Sequence, residues 1–575
     1  MHFRIAPKGI LTVAVLIGVI VAAGHVVCGA DKPKTLPPSQ VNVRDYGAKG
    51  DGIADDTRAF ERAMGVFDGK AGTVSIPVGQ YLIKGHLKVP ARITLEGVWK
   101  IPTAFTQPDG STLLAVEGKG DENGTPFITL GANAVLKGLT VFYPDQKPDK
   151  IVAYPWCVRG AGGDNSSIID CLLVNPYQAV DFGTNPSGRH YIRNLYGQPL
   201  RRGIFVDKCF DIGRIENVHF WPFWNWDEKN GIRDWLWRNG ESFIFGRTDW
   251  EYVFNTFVFG YKTGYRFIET KDGATNGNFL GVGADATQNA VVVDQSQPYG
   301  LLFTNGEFVS FAGDKPTEIV VGPKNTGAVN FANCAFWGPA HQIANLAGRG
   351  TTSFSNCNFI EWDKDGKDTP AITLSGGSLM VSSCSFVAAA PQAELIGTAE
   401  SAVLMGNKMG GPLKVANTVH ADLQVGLNVF VKPKAHPAEE PGSVVVDDNT
   451  DPDKVTFTGA WTAVSSPGNY AGRAHWVTKG AGEAKAGFRL KLPHPGKYTV
   501  WVFASPDPNH DHATNAPVTV KTAAGSVTAR ISQRDATGEW VKAGEYTFAD
   551  EATVTLSNDA DANVIADAVK AVPVG

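Results

Sequence analysis

The sequence predicts an all-β chain in two parts, a solenoid of stacked parallel coils followed by a smaller antiparallel β-sandwich. Three observations predict it. Between residues 170 and 407, apolar strands recur around one small polar turn residue at a near-constant interval. Beyond a Pro- and charge-rich stretch, the pattern changes to alternating strands with turns about every 8–12 residues. Glycine, at 64 of 575 residues, is as abundant as a turn-rich β protein requires.

The chain opens on an apparatus for export. His2, Arg4 and Lys8 form a basic start, residues 10–24 are apolar, and Cys28-Gly29-Ala30 has the form of an A-x-A-like cleavage site. This reads as a signal peptide over residues 1–30 and a secreted, periplasmic or cell-surface protein. The apolar run is short for a membrane span, which favours cleavage. Val27, where a small residue is usual, argues against lipid attachment at Cys28. No later segment approaches about 18 uninterrupted apolar residues, so no membrane span is expected after cleavage. With 52 basic and 57 acidic residues the net charge is −5, which gives no electrostatic reason to expect nucleic acid or an anionic membrane as partner.

Residues 31–430 form the solenoid. After a Pro-rich leader comes VNVRDYGAKGDGIADDTRAFERAM, a strand and glycine turns leading into a helix to about Phe67. Asp55 or Asp56 caps that helix, and Ala59, Phe60, Ala63 and Met64 lie on one side. AGTVSIPVGQYLI and LKVPARITLEG follow as short strands. The order D-Y-G-A-x-G-D-G-x-x-D-D-T, helix, G-T-V-x-I-P-x-G-x-Y-L-I, V-P-x-x-I-T-L-x-G resembles the start of pectate-lyase superfamily proteins, which include polygalacturonases and rhamnogalacturonases. The resemblance implies a right-handed parallel β-helix whose N-terminal end this segment closes, with its aspartates acting as caps and turn formers.

The periodicity supports the same fold from residues alone. Asp170, Asn194, Asn217, Asn255, Asn305, Asn333, Asn356, Ser383 and Asn407 each sit between two apolar strands, at spacings of 24, 23, 38, 50, 28, 23, 27 and 24. The 50 is two coils, and the 38 is one coil plus an insertion of about 14. Asn tolerates left-handed geometry and can bond its copies in neighbouring coils about 4.8 Å away. Of the six cysteines beyond the signal, Cys334, Cys357 and Cys384 recur in ANCAF, SNCNF and SSCSF. This predicts stacked copies of one buried position, with free thiols and no metal.

The enlarged coil contains residues 221–250 and six of the 14 tryptophans: Trp221, Trp224, Trp226, Trp235, Trp237 and Trp250. Carboxylates are interleaved among them. Either this loop buries its own aromatics as a satellite core, or the rings offer flat faces to sugars while carboxylates act on the glycosidic oxygen. Solenoid insertions fall on one face, often the binding face.

Residues 431–442 read as a linker and 443–575 as a β-sandwich. The landmarks F-T-G-x-W, L-P-x-P-G-x-Y-x-V-x-V, G-x-W-V-x-x-G-x-Y-x-F and V-I-A-D-A-V resemble the golvesin C-terminal domain, a carbohydrate-binding-like fold, which implies binding or docking. His510, Asp511 and His512 there read as an exposed polar loop.

For chemistry, QAVDF and GIFVD are expected on adjacent coils of one sheet, with Asp181 and Asp207 facing outward in one column as a catalytic pair. Glu241 and Asp249 are alternates for the acid. Trp221, Trp224, Trp226, Trp235, Trp237, Arg201, Arg202, His219 and Tyr196 are the expected substrate contacts, the arginines suiting a uronate or sulfate. For Asp181 or Asp207 alone, a strand-end role bonding backbone N–H groups competes with catalysis.

G-H-G and R-I-K, which the polygalacturonase resemblance would bring, are absent. The single N-T-D (residues 449–451) lies beyond the linker, and the W-I-D-H of calcium-dependent pectate lyases has no match. The resulting expectation is an exported enzyme on a polysaccharide substrate, a glycoside hydrolase with an Asp/Glu pair. A polysaccharide lyase acting on a uronate polymer and a non-catalytic glycan binder are the alternatives. No cofactor or metal is expected, except Ca²⁺ under the lyase reading. Nothing in the sequence fixes the oligomeric state.

Overall fold

One backbone corner repeats along the computed structural model of the chain, which describes residues 38–574 except 104, 106–107, 431–439, 467, 508 and 536–537. There Gly138, Asp170, Asn194, Asn217, Asn255, Gly281, Asn305, Asn333, Asn356, Ser383, Gly406 and Leu427 all take φ between 50° and 67°. Asn and Asp enter this left-handed region at small cost, and glycine at none. Gly281 is the corner hidden in the interval of 50. Gly406, not the expected Asn407, occupies the last aligned corner. Asn407 points inward one residue later, fully buried, and accepts from the Cys384 N–H at 2.9 Å. Glycine fills the corner without the Asn signature, so residue type alone placed the position one step off.

The corner side chains bond from coil to coil. Asn194 donates to Asp170 at 2.7 Å, Asn217 to Asn194 at 2.6 Å, Asn255 to Asn217 at 3.2 Å and Asn356 to Asn333 at 2.7 Å. The next residue inward holds the cysteines. The Cys357 N–H donates to Cys384 Sγ at 3.3 Å, and the Gly306 N–H to Cys334 Sγ at 3.4 Å. All six described cysteines are free and buried, and burial pushes the Cys157 and Cys171 thiols up to about 12. A thiol reagent is therefore expected to label none of the six in the native protein and all six in denaturant, read by intact mass; any native labelling would contradict this burial.

Three parallel sheets run along the solenoid. The first begins with Gln40–Asn42, Gly72–Ser75 and Ile93–Glu96, the second with Asp51–Asp55, Gly79–Ile83 and Ser111–Ala115, and the third with Leu87–Val89, Ile128–Leu130 and Trp156–Gly160. They end at Asp422–Gly426, Val429–Phe430 and Val415–Asn417. Between the sheets lies one continuous core. Phe279, Phe303, Phe331 and Phe354 stack at 4.8–5.2 Å, beside Phe308, Phe336, Phe359 and Phe386 at 4.5–5.5 Å.

The helix Thr57–Gly65 closes the N-terminal end, with Phe60 edge-on to Tyr81 at 5.5 Å. Its two preceding aspartates divide the work. Asp55 accepts from the Thr57 N–H and hydroxyl at 3.1 and 2.6 Å, while Asp56 accepts from the Lys49 and Gly50 N–H groups at 2.7 and 3.0 Å and fixes the glycine turn. The insertion lies between Arg214–Phe220, which runs from the first sheet round the Asn217 corner into the second, and Glu241–Phe245 of the third, and includes the helix Ile232–Asn239.

The C-terminal part is antiparallel, with a four-stranded, a five-stranded and a three-stranded sheet around a separate core. Its first strand is Val444–Asp447 and its last Ala568–Pro573. The expected signal peptide and most of the expected linker fall outside the described residues. No described helix is long and apolar enough to cross a membrane.

Candidate functional site

On the outer face of the third sheet, Arg159, Asp181, Phe205, Ile244 and Arg266 form one row across five successive coils. Side chains alternate along each strand, so inward Val158, Val180 and Ile204 leave this row facing out. Arg159, Phe205, Ile244 and Arg266 of this row floor a cavity of about 470 Å³, which Trp156, Arg202 and Glu241 also line. Trp156 and Phe205 stack at 6.3 Å with 22° between their planes. Loop residue Asn123 closes one side, held where the Gln178 amide donates to the Glu122 carbonyl at 3.0 Å.

Charge in this cavity is arranged in ladders. Glu241, almost buried, meets Arg201 Nη1 at 3.0 Å and Arg266 Nη1 at 2.6 Å. Burial works against its charge, but the two guanidiniums outweigh it and hold its pKa below the ordinary carboxylate value. Arg266 continues to Asp294 at 3.1 Å. Arg202 is looser: it donates to Gln178 Oε1 at 2.9 Å, lies 3.6 Å from Glu122, and keeps about a third of its side chain in solvent.

The paired column of Asp181 and Asp207 does not form. Asp181 lies beside Phe205, and Asp207 lies two positions further along, because Phe182 pairs with Val206. Matching the two Val-Asp dipeptides gave the wrong register; the inward rows follow Val180–Ile204 and Phe182–Val206 instead. Asp181 is buried and accepts from Arg159 Nε at 2.5 Å, from the Gly183 and Thr184 N–H groups at 2.9 and 2.8 Å, and from the Thr184 hydroxyl at 2.6 Å. Asp207, also buried, accepts from the Arg247 N–H at 2.6 Å and the Thr270 hydroxyl at 3.1 Å. Both occupy the strand-end geometry. Asp207 even dictates a neighbour, since a Cβ at Gly246 would lie 2.6 Å from its Oδ1.

The other expected residues lie on different faces. Tyr196 and His219 are neighbours on the second sheet, with rings 6.0 Å apart. His219 packs among Phe223 and Phe257, and burial lowers its pKa. Trp221 sits beside Phe223 at 5.4 Å. Trp226 packs on Trp237 at 5.9 Å and on Phe259 at 5.5 Å, and Trp237 Nε1 donates to the Ala286 carbonyl at 2.8 Å. Trp224, Trp226 and Trp235 lie against the solenoid core, and none of the insertion's tryptophans lines the cavity. Asp249 is exposed at the corner leading from the third sheet back to the first. Of the expected residues, Arg202 and Glu241 line the cavity and Arg201 braces Glu241. Trp156, Arg159, Phe205 and Arg266 were missed, although aligning WCVRG, QAVDF, GIFVD and GYRF by inward apolar residues would have placed them together.

Residues 40–145 match the family model described as rhamnogalacturonase A/epimerase, pectate lyase-like, and residues 444–573 match the golvesin C-terminal domain. The chain is 34% identical over 164 residues to xanthan lyase of Bacillus sp. (strain GL1), 27% of this chain and 17% of that protein. It is 33% identical over 226 residues to an exopolygalacturonase (clone GBGA483) of Arabidopsis thaliana, 32% of this chain and 49% of that protein. The chain thus spans less than half the length of these relatives. The solved structure of pre-mature bacteriophage phi29 gene product 12 superposes with a TM-score of 0.50 at 14% identity, over 68% of this chain and 56% of that one, a likeness of fold alone. The chain therefore carries a pectate-lyase-like parallel β-helix joined to a golvesin C-terminal domain.

Proposed function

We propose that this chain is an exported enzyme that binds an anionic polysaccharide in the cavity on the third sheet and cleaves it. The observation that carries this reading is the convergence of Arg159, Arg202 and Arg266 on an aromatic floor of Trp156 and Phe205. Guanidiniums recognise sugar carboxylates through paired N–H donors, and the rings offer apolar surface to the C–H face of a pyranose. The names of two relatives, a xanthan lyase and an exopolygalacturonase, support a polysaccharide substrate.

Elimination suits the arrangement better than hydrolysis. A hydrolase needs one carboxyl group that carries a proton to the leaving oxygen. Here Glu241, Asp181, Asp294 and Glu122 each face a guanidinium, and Glu241 is held ionised. In elimination a base takes the C5 proton, the C4–O bond breaks and the C4–C5 double bond forms. Glu241, the ionised carboxylate lining the cavity, serves as the proton acceptor, while guanidiniums on the uronate carboxylate stabilise the negative charge that develops there. The test is a panel of neutral and uronate polymers followed for near-ultraviolet absorbance and for reducing ends. The expected result is an absorbing, unsaturated product from a uronate polymer. Arg202→Ala, which removes the donor to buried Gln178 Oε1 and a loose contact to half-exposed Glu122, is expected to lower kcat/KM roughly 10²–10³-fold while the native circular dichroism spectrum is kept. Reducing ends without absorbance would return the hydrolase reading, and neither signal would leave a glycan binder.

A further inference from the structure

Three carboxylates meet inside the C-terminal sandwich. Asp447 ends the first strand, Asp448 follows it, and Asp567 lies between Val564–Ala566 and Ala568–Pro573, the latter strand pairing with Val444–Asp447. Their exposures are 1%, 5% and 0%. One ligand oxygen of each lies within 4.8 Å of the others.

Each group is anchored from behind. Asp447 Oδ1 accepts from the Asn449 and Thr450 N–H groups at 3.0 and 2.7 Å. Asp448 Oδ2 meets His475 Nδ1 at 2.5 Å. Asp567 accepts from the Tyr470 N–H at 2.9 Å and the Ser505 hydroxyl at 2.6 Å. The remaining oxygens, Asp447 Oδ2 and Asp448 Oδ1, are buried without any hydrogen-bond partner. Bare carboxylate oxygens beside further carboxylates are among the costliest arrangements a protein interior can hold, unless positive charge is supplied. Arg473 acts on Asp448 but does not offset it. Burial, then Asp567 and Asp447, push Asp448 up to about 9, and burial pushes Asp567 up to about 8.

We propose that a Ca²⁺ ion binds among these three aspartates, with Asp447 Oδ2, Asp448 Oδ1 and one oxygen of Asp567 as protein ligands. An all-oxygen, all-carboxylate donor set selects a hard cation. Three buried carboxylates favour Ca²⁺ over Mg²⁺, which gives up its waters reluctantly and is usually held by only one or two carboxylates. Bound there, the ion ties the first strand of the sandwich, where the chain arrives from the solenoid, to its last strands. This is a structural site, independent of the polysaccharide reading.

The test uses the full chain, stripped with chelator and desalted. Equilibrium dialysis against ⁴⁵Ca²⁺ is expected to give one ion per chain. Ca²⁺ at about 100 times its Kd is expected to raise the melting of the sandwich by on the order of 10 °C, and Mg²⁺ by much less. Asp448→Asn and Asp567→Asn should each abolish the shift and the bound ion. Asp511→Asn, in the separate Asp507–Asp511–His512 group, should keep both. If either variant fails to fold by near-ultraviolet circular dichroism, the other variant together with the wild-type stoichiometry decides. No bound ion at millimolar Ca²⁺ with unchanged melting would overturn the proposal, leaving protons to neutralise the cluster. Ca²⁺ retained in the folded aspartate variants would overturn it equally.

Discussion

Phe331→Ala is expected to destabilise the solenoid by about 3–5 kcal/mol. Phe331 is buried, and its ring touches four others, stacked on Phe303 and Phe354 and edge-on to Phe308 and Phe336, at 4.8–5.9 Å. Its removal therefore opens a void in the core itself, with no loop able to collapse into it. Each coil rests only on its neighbours, so the loss is felt across the cooperative unit and not at one coil. Denaturant unfolding followed by circular dichroism checks this. Tyr546→Phe, which removes one hydroxyl in the separate sandwich, should leave the solenoid transition in place, and a loss under 1 kcal/mol for Phe331→Ala would refute the continuous stack.

Glu251→Ala should cost a comparable 3–5 kcal/mol, for an electrostatic reason. His190 and Glu251 are fully buried inside the solenoid, joined Nε2 to Oε1 at 2.9 Å, while His190 Nδ1 donates to the Ser187 carbonyl at 2.9 Å. Burial opposes the imidazolium, yet Glu251 and Cys209 outweigh it and raise the His190 pKa well above the ordinary range. Removing Glu251 strands a buried histidine with one bond. The pair also dictates a pH dependence. A pKa raised on folding gives stability that is complete below the unfolded value of about 6.5 and is lost as pH rises through the folded value. Melting temperature should thus fall from pH 6 towards pH 10. The aspartates of the sandwich contribute a slope of the same sign, so the quantity to compare is the difference between wild type and Glu251→Gln, in which the solenoid's share should vanish. Parallel slopes in the two proteins would show that His190 is not charged.

The fold was legible in the sequence because a solenoid writes the same constraint many times. A left-handed corner admits few residue types, and copies about 25 residues apart reinforce one another. Glycine corners such as Gly281 and Gly406 were invisible for the same reason that they function: they carry no side chain to recognise. The cavity was far less legible. Its residues are Arg159, Phe205 and Arg266, which share a row only after the strands are registered, and a shift of two positions moved Asp207 out of it. Inward apolar residues set that register, whereas the expectation matched the outward carboxylates. The tryptophans misled because half-buried rings serve a loop that must cover its own core as readily as they serve a ligand.

The arginines of the third sheet have a consequence for how such a protein can change. Arg159 reaches Asp181 in the following turn, Glu241 is clasped by Arg201 from the turn before and by Arg266 from the turn after, and Arg266 reaches on to Asp294. Deleting or duplicating one turn in this stretch would strand a charge on each side of the splice. Adding or losing a coil outside this stretch breaks none of these pairs, while this middle span is locked. Diversification of what the face grips is thereby confined to the segments that arch over it.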